Sequence, residues 1–254
     1  MLIFQDNRTD GLGSYRGVFA VTLSTPPTVD VLVSPRLSAV NAFAWVVGFS
    51  TDSSQMLQAI SGVGGSTSCD LWSVPLASPA SLVQVSPASL SSGSCPRTGA
   101  YSPDGSKIVF TAPAQTNGLG GDGIYEVMLS NPTVVHTLVS PVTSVFYTGV
   151  IYDETGTDLL LMSNLNGVNR NDLFEWHRGA SNPFIQLNPV GLTSQSFTAT
   201  ADGAMIVWLA NDPVVAPALK AYLIDRSLPG QAWLLSSAAA TLGISSGVSL
   251  IIDP

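Results

Sequence analysis

Charge is scarce in this chain. Only 10% of its 254 residues are Asp, Glu, Lys or Arg, and long amphipathic helices carry far more than that. Basic residues are rarer still: nine Lys plus Arg stand singly against 17 acids, for a formal net charge of −8. Gripping a phosphate backbone takes clustered cations, so nucleic acid is not expected as a partner. An anionic membrane surface is disfavoured by the same repulsion. Two cysteines and two histidines without short spacing make no zinc signature, and no metal or cofactor is implied. No clean apolar run reaches the roughly 18 residues of a membrane span. The longest uncharged stretch, Ser227 to Ile252, is interrupted by Pro229, Gly230, Gln231, Gly243 and Gly247. Asp6, Arg8 and Asp10 break the opening apolar run, so no signal peptide is read there.

What the chain does have is hydrophobic residues (45%), 23 Gly and 17 Pro. That combination supplies a large core divided among many short elements. Four features recur at a period near 50 residues. A turn precedes an apolar strand at Phe49-Ser-Thr-Asp52, Tyr101-Ser-Pro-Asp104-Gly105, Tyr152 to Gly156 and Ala201-Asp202-Gly203. Asp closes such a turn by bonding the backbone two residues on, and Gly accepts the positive φ. An aromatic follows in the next strand at Phe19, Trp72, Tyr125, Phe174 and Tyr222, spaced by 53, 53, 49 and 48 residues. Around each, large apolar residues alternate with small or polar ones, the period of a strand. A proline turn comes third: Thr25-Pro26-Pro27, Ser78-Pro79, Asn131-Pro132, Asn182-Pro183, Leu228-Pro229. The fourth is a short strand ending in proline, as in Val31-Leu-Val-Ser-Pro35, Val83-Gln-Val-Ser-Pro87, Leu138-Val-Ser-Pro141 and Ile185-Gln-Leu-Asn-Pro189. Proline at that place marks the outermost strand of each unit.

Each unit thus reads as a four-stranded antiparallel blade, which cannot bury both faces alone and must stack with others about an axis. The expectation is an all-β, five-bladed β-propeller. The string Tyr101-Ser-Pro-Asp-Gly-Ser-Lys-Ile-Val-Phe110, followed by Gly123-Ile-Tyr-Glu-Val127, resembles the repeat of the TolB-like (WD40-like, PD40-type) propellers. The likeness is closest in that blade and weakens in the others. The α/β domain that precedes the propeller in TolB has no counterpart in the sequence.

Complete blades are expected at 36–87, 88–141, 142–189 and 190–238. The remaining blade combines three strands from residues 1–35 with an innermost strand from the C-terminal 246–254, at Gly247 to Ile252, so that both ends finish one sheet. The alternative is a piece of a larger TolB-like propeller.

Catalysis is not expected. Glycosidases place paired carboxylates on the reacting bond, yet the expected innermost strands (42–48, 97–101, 145–151, 195–200, 247–252) contain no Asp or Glu. There is no Gly-x-Ser-x-Gly elbow, and the only bases for a serine nucleophile, His136 and His177, belong to outer strands of different blades. The reading is a binding scaffold, monomeric, that meets a protein or carbohydrate partner on its long-loop rim and channel mouth. Those loops include 6–15, 61–68, 115–123, 164–171 and 211–219, with the entry loops at 36–41, 88–96, 142–144, 190–194 and 238–245. Arg36, Asn41, Arg97, Tyr147 and Gln195 are the candidate contact residues. A glycoside hydrolase-like or other hydrolytic five-bladed propeller is the alternative function. Cys69 and Cys95 fall on the same rim of neighbouring blades, where a disulfide is geometrically reasonable. Such a bond and the resemblance both imply an extracytoplasmic location: periplasm, cell envelope or outside the cell.

Overall fold

The computed structural model describes residues 2–10, 13–21, 31–32, 34, 44–61, 69–79, 81–86, 98–113, 122–167, 171–200, 202–211 and 219–236. They fall in two compact units, Met1–Val142 and Thr143–Pro254. The first unit holds β1 (Leu2–Asp10), β2 (Gly13–Val21), β3 (Val31–Leu32), β4 (Ala44–Phe49), β5 (Gln55–Ser61), β6 (Cys69–Pro75), β7 (Val83–Gln84), β8 (Gly99–Tyr101), β9 (Lys107–Pro113), β10 (Asp122–Met128) and β11 (Asn131–Val139). The second holds β12 (Tyr147–Tyr152), β13 (Leu159–Ser163), β14 (Asp172–Trp176), β15 (Phe184–Gln186), β16 (Thr193–Ala199), β17 (Met205–Asn211), β18 (Leu219–Asp225) and β19 (Trp233–Ser236).

Every strand pairs antiparallel with its neighbour in sequence, in four four-stranded sheets and one three-stranded sheet, β1-β2-β3. These are the blades of an all-β propeller. Four complete blades rather than five are therefore present among the described residues, and the expected closing strand Gly247 to Ile252 lies outside them. Two local expectations are corrected. Residues 6–10 and 13–15 are paired strand, not loop, with Asp6 opposite Gly17 and Asp10 opposite Gly13. Ladder bonds come from the backbone, so a polar Asn-Arg-Thr string can carry them as well as an apolar one. Asn131-Pro132 likewise opens the edge strand β11 instead of forming the turn before it. Proline is tolerated at the first residues of an edge strand, where no N–H is required of it.

The central strands are buried on both faces, which explains their unbroken apolar runs. In the first unit Leu57, Ala59 and Leu71 of one sheet pack on Ile108, Phe110, Tyr125 and Val127 of the next. In the second, Leu160, Met162 and Leu173 pack on Ile206, Trp208, Tyr222 and Ile224. The repeated aromatic stacks on its cross-strand partner: Tyr125 on Phe110 at 5.8 Å between ring centroids, and Tyr222 on Trp208 at 5.1 Å.

The residue before the repeated proline has a use that its pattern did not reveal. Ser34, Ser86 and Asn188, all buried, turn back to accept the backbone N–H of Val18, Leu71 and Leu173 at 2.9, 2.7 and 2.7 Å. Each satisfies a donor on the strand beside the edge strand, beyond the end of the short edge ladder, where an unpaired buried N–H is costly.

The first turn of each blade is a small hydrogen-bonded device. Ser102 Oγ donates to Asp104 at 2.6 Å, the Ser106 N–H donates to the same carboxylate at 3.0 Å, and the Lys107 N–H donates back to Ser102 Oγ at 3.0 Å. Ser50, Asp52 and Ser54 repeat the pattern, as do Thr200, Asp202 and Ala204. In the fourth copy Asp153 stands where the hydroxyl residue would, and its carboxylate accepts the Thr157 and Asp158 N–H groups itself, at 3.1 and 3.0 Å. The fourth turn residue has positive φ at Ser53, Gly105, Gly156 and Gly203, so among these four turns only the one between β4 and β5 bears a side chain there.

These bonds make the turns acid-sensitive. The hydroxyl of Ser102 and then the Ser106 N–H hold the Asp104 carboxyl down at about 2, and Ser50 and Thr200 act in the same direction on Asp52 and Asp202. A depressed folded-state value means the contribution is complete above the unfolded value of about 4 and is lost as pH falls toward 2. The thermal midpoint should drop through that window, and Asp104→Asn should flatten the drop. An unchanged slope in the variant would remove the turn from the account.

Candidate functional site

Two glycines of the inner strands stand where no side chain would fit. A Cβ on Gly48 would stand 3.2 Å from the carbonyl oxygen of Gly99, and one on Gly149 would stand 2.9 Å from Cε1 of Phe197. Glycine at these places lets β8 approach β4 and leaves room for the Phe197 ring against β12.

In this packed setting the inner strands carry an extra residue. Tyr147 pairs with Ser163 and Gly149 with Met162, leaving Thr148 without a partner position. Ser194 pairs with Ala210 and Ser196 with Leu209, leaving Gln195 in the same situation. Both are β-bulges, which interrupt the ladder and re-aim a side chain. They also sit at the same place, five residues before the first residue of the turn, Asp153 or Thr200. A third bulge, at Val47 in β4, lies nearer its turn. Thr148 and Gln195 are exposed on strands whose other residues are buried or half-buried.

Of the residues singled out from the sequence, Gln195 is thus at a bulge and open to solvent. Tyr147, at 1% exposure, is a core residue and presents no surface. Arg36, Asn41 and Arg97 lie outside the described residues, as does Cys95. Cys69 is disulfide-bonded, and Cys95 is the only other cysteine in the sequence. Thr148 was missed. The signal for it was its offset from the turn, which equals that of Gln195 and of Arg97 relative to Ser102.

Charged chemistry gathers elsewhere, on the turns of the second unit. Arg226 follows β18 and reaches across to the neighbouring sheet, its two terminal nitrogens donating to Glu154 and to Glu175, each at 2.5 Å, and to the Gly203 carbonyl at 2.8 Å. Burial opposes the guanidinium charge, but the bonds from Glu175 and Glu154 outweigh it and leave its pKa raised. His177 stands between carboxylates, Nδ1 at 2.7 Å from Asp158 and Nε2 at 4.0 Å from Glu175. Burial works to raise the Asp158 carboxyl; the Arg178 backbone N–H and then His177 outweigh it, so it lies below the usual range. An Asp–His pair serves catalysis when the far ring nitrogen faces a hydroxyl or thiol. Here that nitrogen faces a second carboxylate, itself held by Arg226. The arrangement does the work of a strut between two sheets.

A cleft of about 390 Å³ opens between the β4–β5 and β8–β9 turns of the first unit, with Asp52, Gln55 and Asp104 on its wall. Its carboxylates are already bonded to the serines of their own turns. Among the described residues no group of three or more His, Cys, Asp or Glu is placed to hold a metal. Among those residues no helix is long and apolar enough to cross a membrane.

No protein-family model and no curated protein matches the sequence. Solved structures do. A prolyl endopeptidase aligns over 91% of this chain at 10% identity and a TM-score of 0.57. An oligogalacturonate lyase in complex with manganese aligns over 82% at 14% identity and a TM-score of 0.54. A chain described as TolB from Agrobacterium tumefaciens aligns over 82% of this one and 84% of its own length, at 12% identity and a TM-score of 0.40. The chain spans only 35% of the endopeptidase and 58% of the lyase. At these identities the first two likenesses establish the propeller fold and nothing of activity.

Proposed function

We propose that this protein is a non-catalytic binding module, a five-bladed propeller scaffold that engages a protein or glycan partner through its inner strands and the loop rim beside them. The observation that carries the reading is the pair of matching bulges, which leave Thr148 and Gln195 exposed where neighbouring residues are packed. A rigid scaffold that turns a few side chains outward is a common platform for recognition. Four acids support the non-catalytic part: Asp104 and Asp202 are committed to turn bonds, and Glu154 and Glu175 to Arg226. The fifth blade is the three-stranded sheet β1–β3, to which the repeat pattern assigns Gly247 to Ile252 as innermost strand. The disulfide at Cys69 supports an oxidising, extracytoplasmic compartment.

The test is partner capture from a cell-envelope lysate by the intact chain, repeated with Gln195→Arg and with the 164–171 loop shortened. A specific partner should be retained by the parent chain and lost from both variants. Turnover of a glycoside or peptide library that persists through buffer exchange would replace this reading with the hydrolytic one.

A further inference from the structure

We infer that the cleft between the β4–β5 and β8–β9 turns takes the guanidinium of an arginine presented by a partner peptide; this goes beyond the binding-module reading, which concerns the inner strands, and does not depend on it. Equivalent positions of the two units carry the inference. Arg226, Leu129 and Leu76 immediately follow β18, β10 and β6. Each donates its backbone N–H to the fifth residue of a first turn: Ala204, Ser106 and Ser54, at 3.1, 2.9 and 2.9 Å. Between the two turns of the second unit, the Arg226 guanidinium fills the gap and joins Glu154 of one turn to the Gly203 carbonyl of the next. A Cβ on Gly203 would collide with the Glu154 carboxylate and stand 2.9 Å from Nη1 of Arg226. Between the two turns of the first unit, the position of Arg226 belongs to Leu129, which packs half-buried against the core. A Cβ on Gly105, the counterpart of Gly203, would meet nothing within 4 Å. The space between these turns is the cleft of about 390 Å³.

The cleft has the acidity that a guanidinium requires. Asp52 and Asp104 both stand on its wall, and neither is in an ion pair among the described residues. Lys107 acts on Asp104 through space, but its ammonium stands 3.9 Å from Glu126. The turn bonds to Asp52 all end on Oδ1, at 2.7, 3.0 and 2.8 Å, which leaves Oδ2 open to a further donor. The hydroxyls of Ser50 and Ser102 hold the two carboxyls below the usual range, so both are charged at neutral pH. Gln55, on the same wall, is fixed by Ser73 Oγ, which donates to its Oε1 at 2.7 Å. Groups held in this way lose little freedom when a ligand arrives. Other ligands fit less well. A calcium ion asks for six or more oxygens, and no group of three acids, His or Cys gathers among the described residues. An anion would face two fixed negative charges. An ammonium concentrates its donors on one atom, whereas a guanidinium spreads five over a plane and can bridge two turns, as Arg226 does.

The experiment titrates the isotope-labelled intact protein with the peptide acetyl-Gly-Gly-Arg-Gly-Gly-amide and follows backbone amide shifts by NMR. Twin peptides carry lysine, or citrulline as the neutral isostere, in place of the arginine. Shifts should saturate at residues 51–55 and 104–106, weaken as salt is added, shrink for the lysine peptide and vanish for citrulline. Asp52→Asn and Asp104→Asn should each weaken the arginine peptide about fivefold. Leu129→Arg supplies a guanidinium from the position equivalent to Arg226 and should abolish binding. No saturating shift at these turns, lysine or citrulline binding as tightly as arginine, or parent affinity in both Asn variants or in Leu129→Arg would overturn the inference. The peptide comparison uses the parent chain alone, so it decides even where a variant loses its turn.

Discussion

Replacing Trp208 by alanine should lower the stability of the protein by about 3–5 kcal/mol, the range for emptying a large aromatic site in a core. The indole is wholly buried between the last two sheets, among Leu160, Leu173, Leu187 and Tyr222. Its Nε1–H donates to Ser194 Oγ at 2.8 Å, so the alanine variant also strands a buried hydroxyl. In a chain of this size the thermal midpoint should fall by about 10 °C. Trp208→Phe should recover more than half of the loss, since it refills most of the volume and forfeits only the hydrogen bond. A midpoint within a degree or two of the parent's for the alanine variant would mean that this core does not hold the second unit together.

The second large effect is expected at Arg226. Removing it as Arg226→Met leaves Glu175, at 8% exposure, with its carboxylate facing an apolar side chain. Breaking a buried pair from one side costs about 3–5 kcal/mol, and the partial exposure of Glu154 argues for the lower end. The double variant Arg226→Met with Glu175→Leu should be more stable than the single one, because the orphaned charge is gone. Glu154→Gln alone should cost under about 1 kcal/mol, as surface pairs do. Thermal denaturation of the parent, the single variants Arg226→Met and Glu175→Leu and their double variant, as a double-mutant cycle, measures the coupling. Simple additivity of the two changes would show that the strut is decorative. The loss should also change little between low and high salt, because a buried pair is poorly screened.

How much of this was legible in the sequence depends on range. The turn at Ser102–Lys107 was readable because its bonds join residues at most five positions apart, and the Ser-x-Asp-Gly spelling states them in order. The aromatic strands were readable for a related reason: alternation is a property of one strand, and the 48–53-residue spacing repeats it. The polar run at Asp6–Asp10 misled because composition reports side chains, while pairing is made by backbone. Tyr147 looked available as a polar aromatic at a strand entrance, yet its neighbours cover it completely.

By itself, then, the sequence determined the class of fold, the blade as the repeating unit, the turn chemistry and the order of the strands, all of which are local or periodic. Tertiary structure alone decided which inner-strand side chains are turned outward. A bulge is a mismatch of register between two strands and has no existence in either one, so Thr148 and Gln195 became special only when β13 and β17 were laid beside them. The Arg226 strut joins residues 51 and 72 positions apart, and its charges find each other only because two sheets pack face to face.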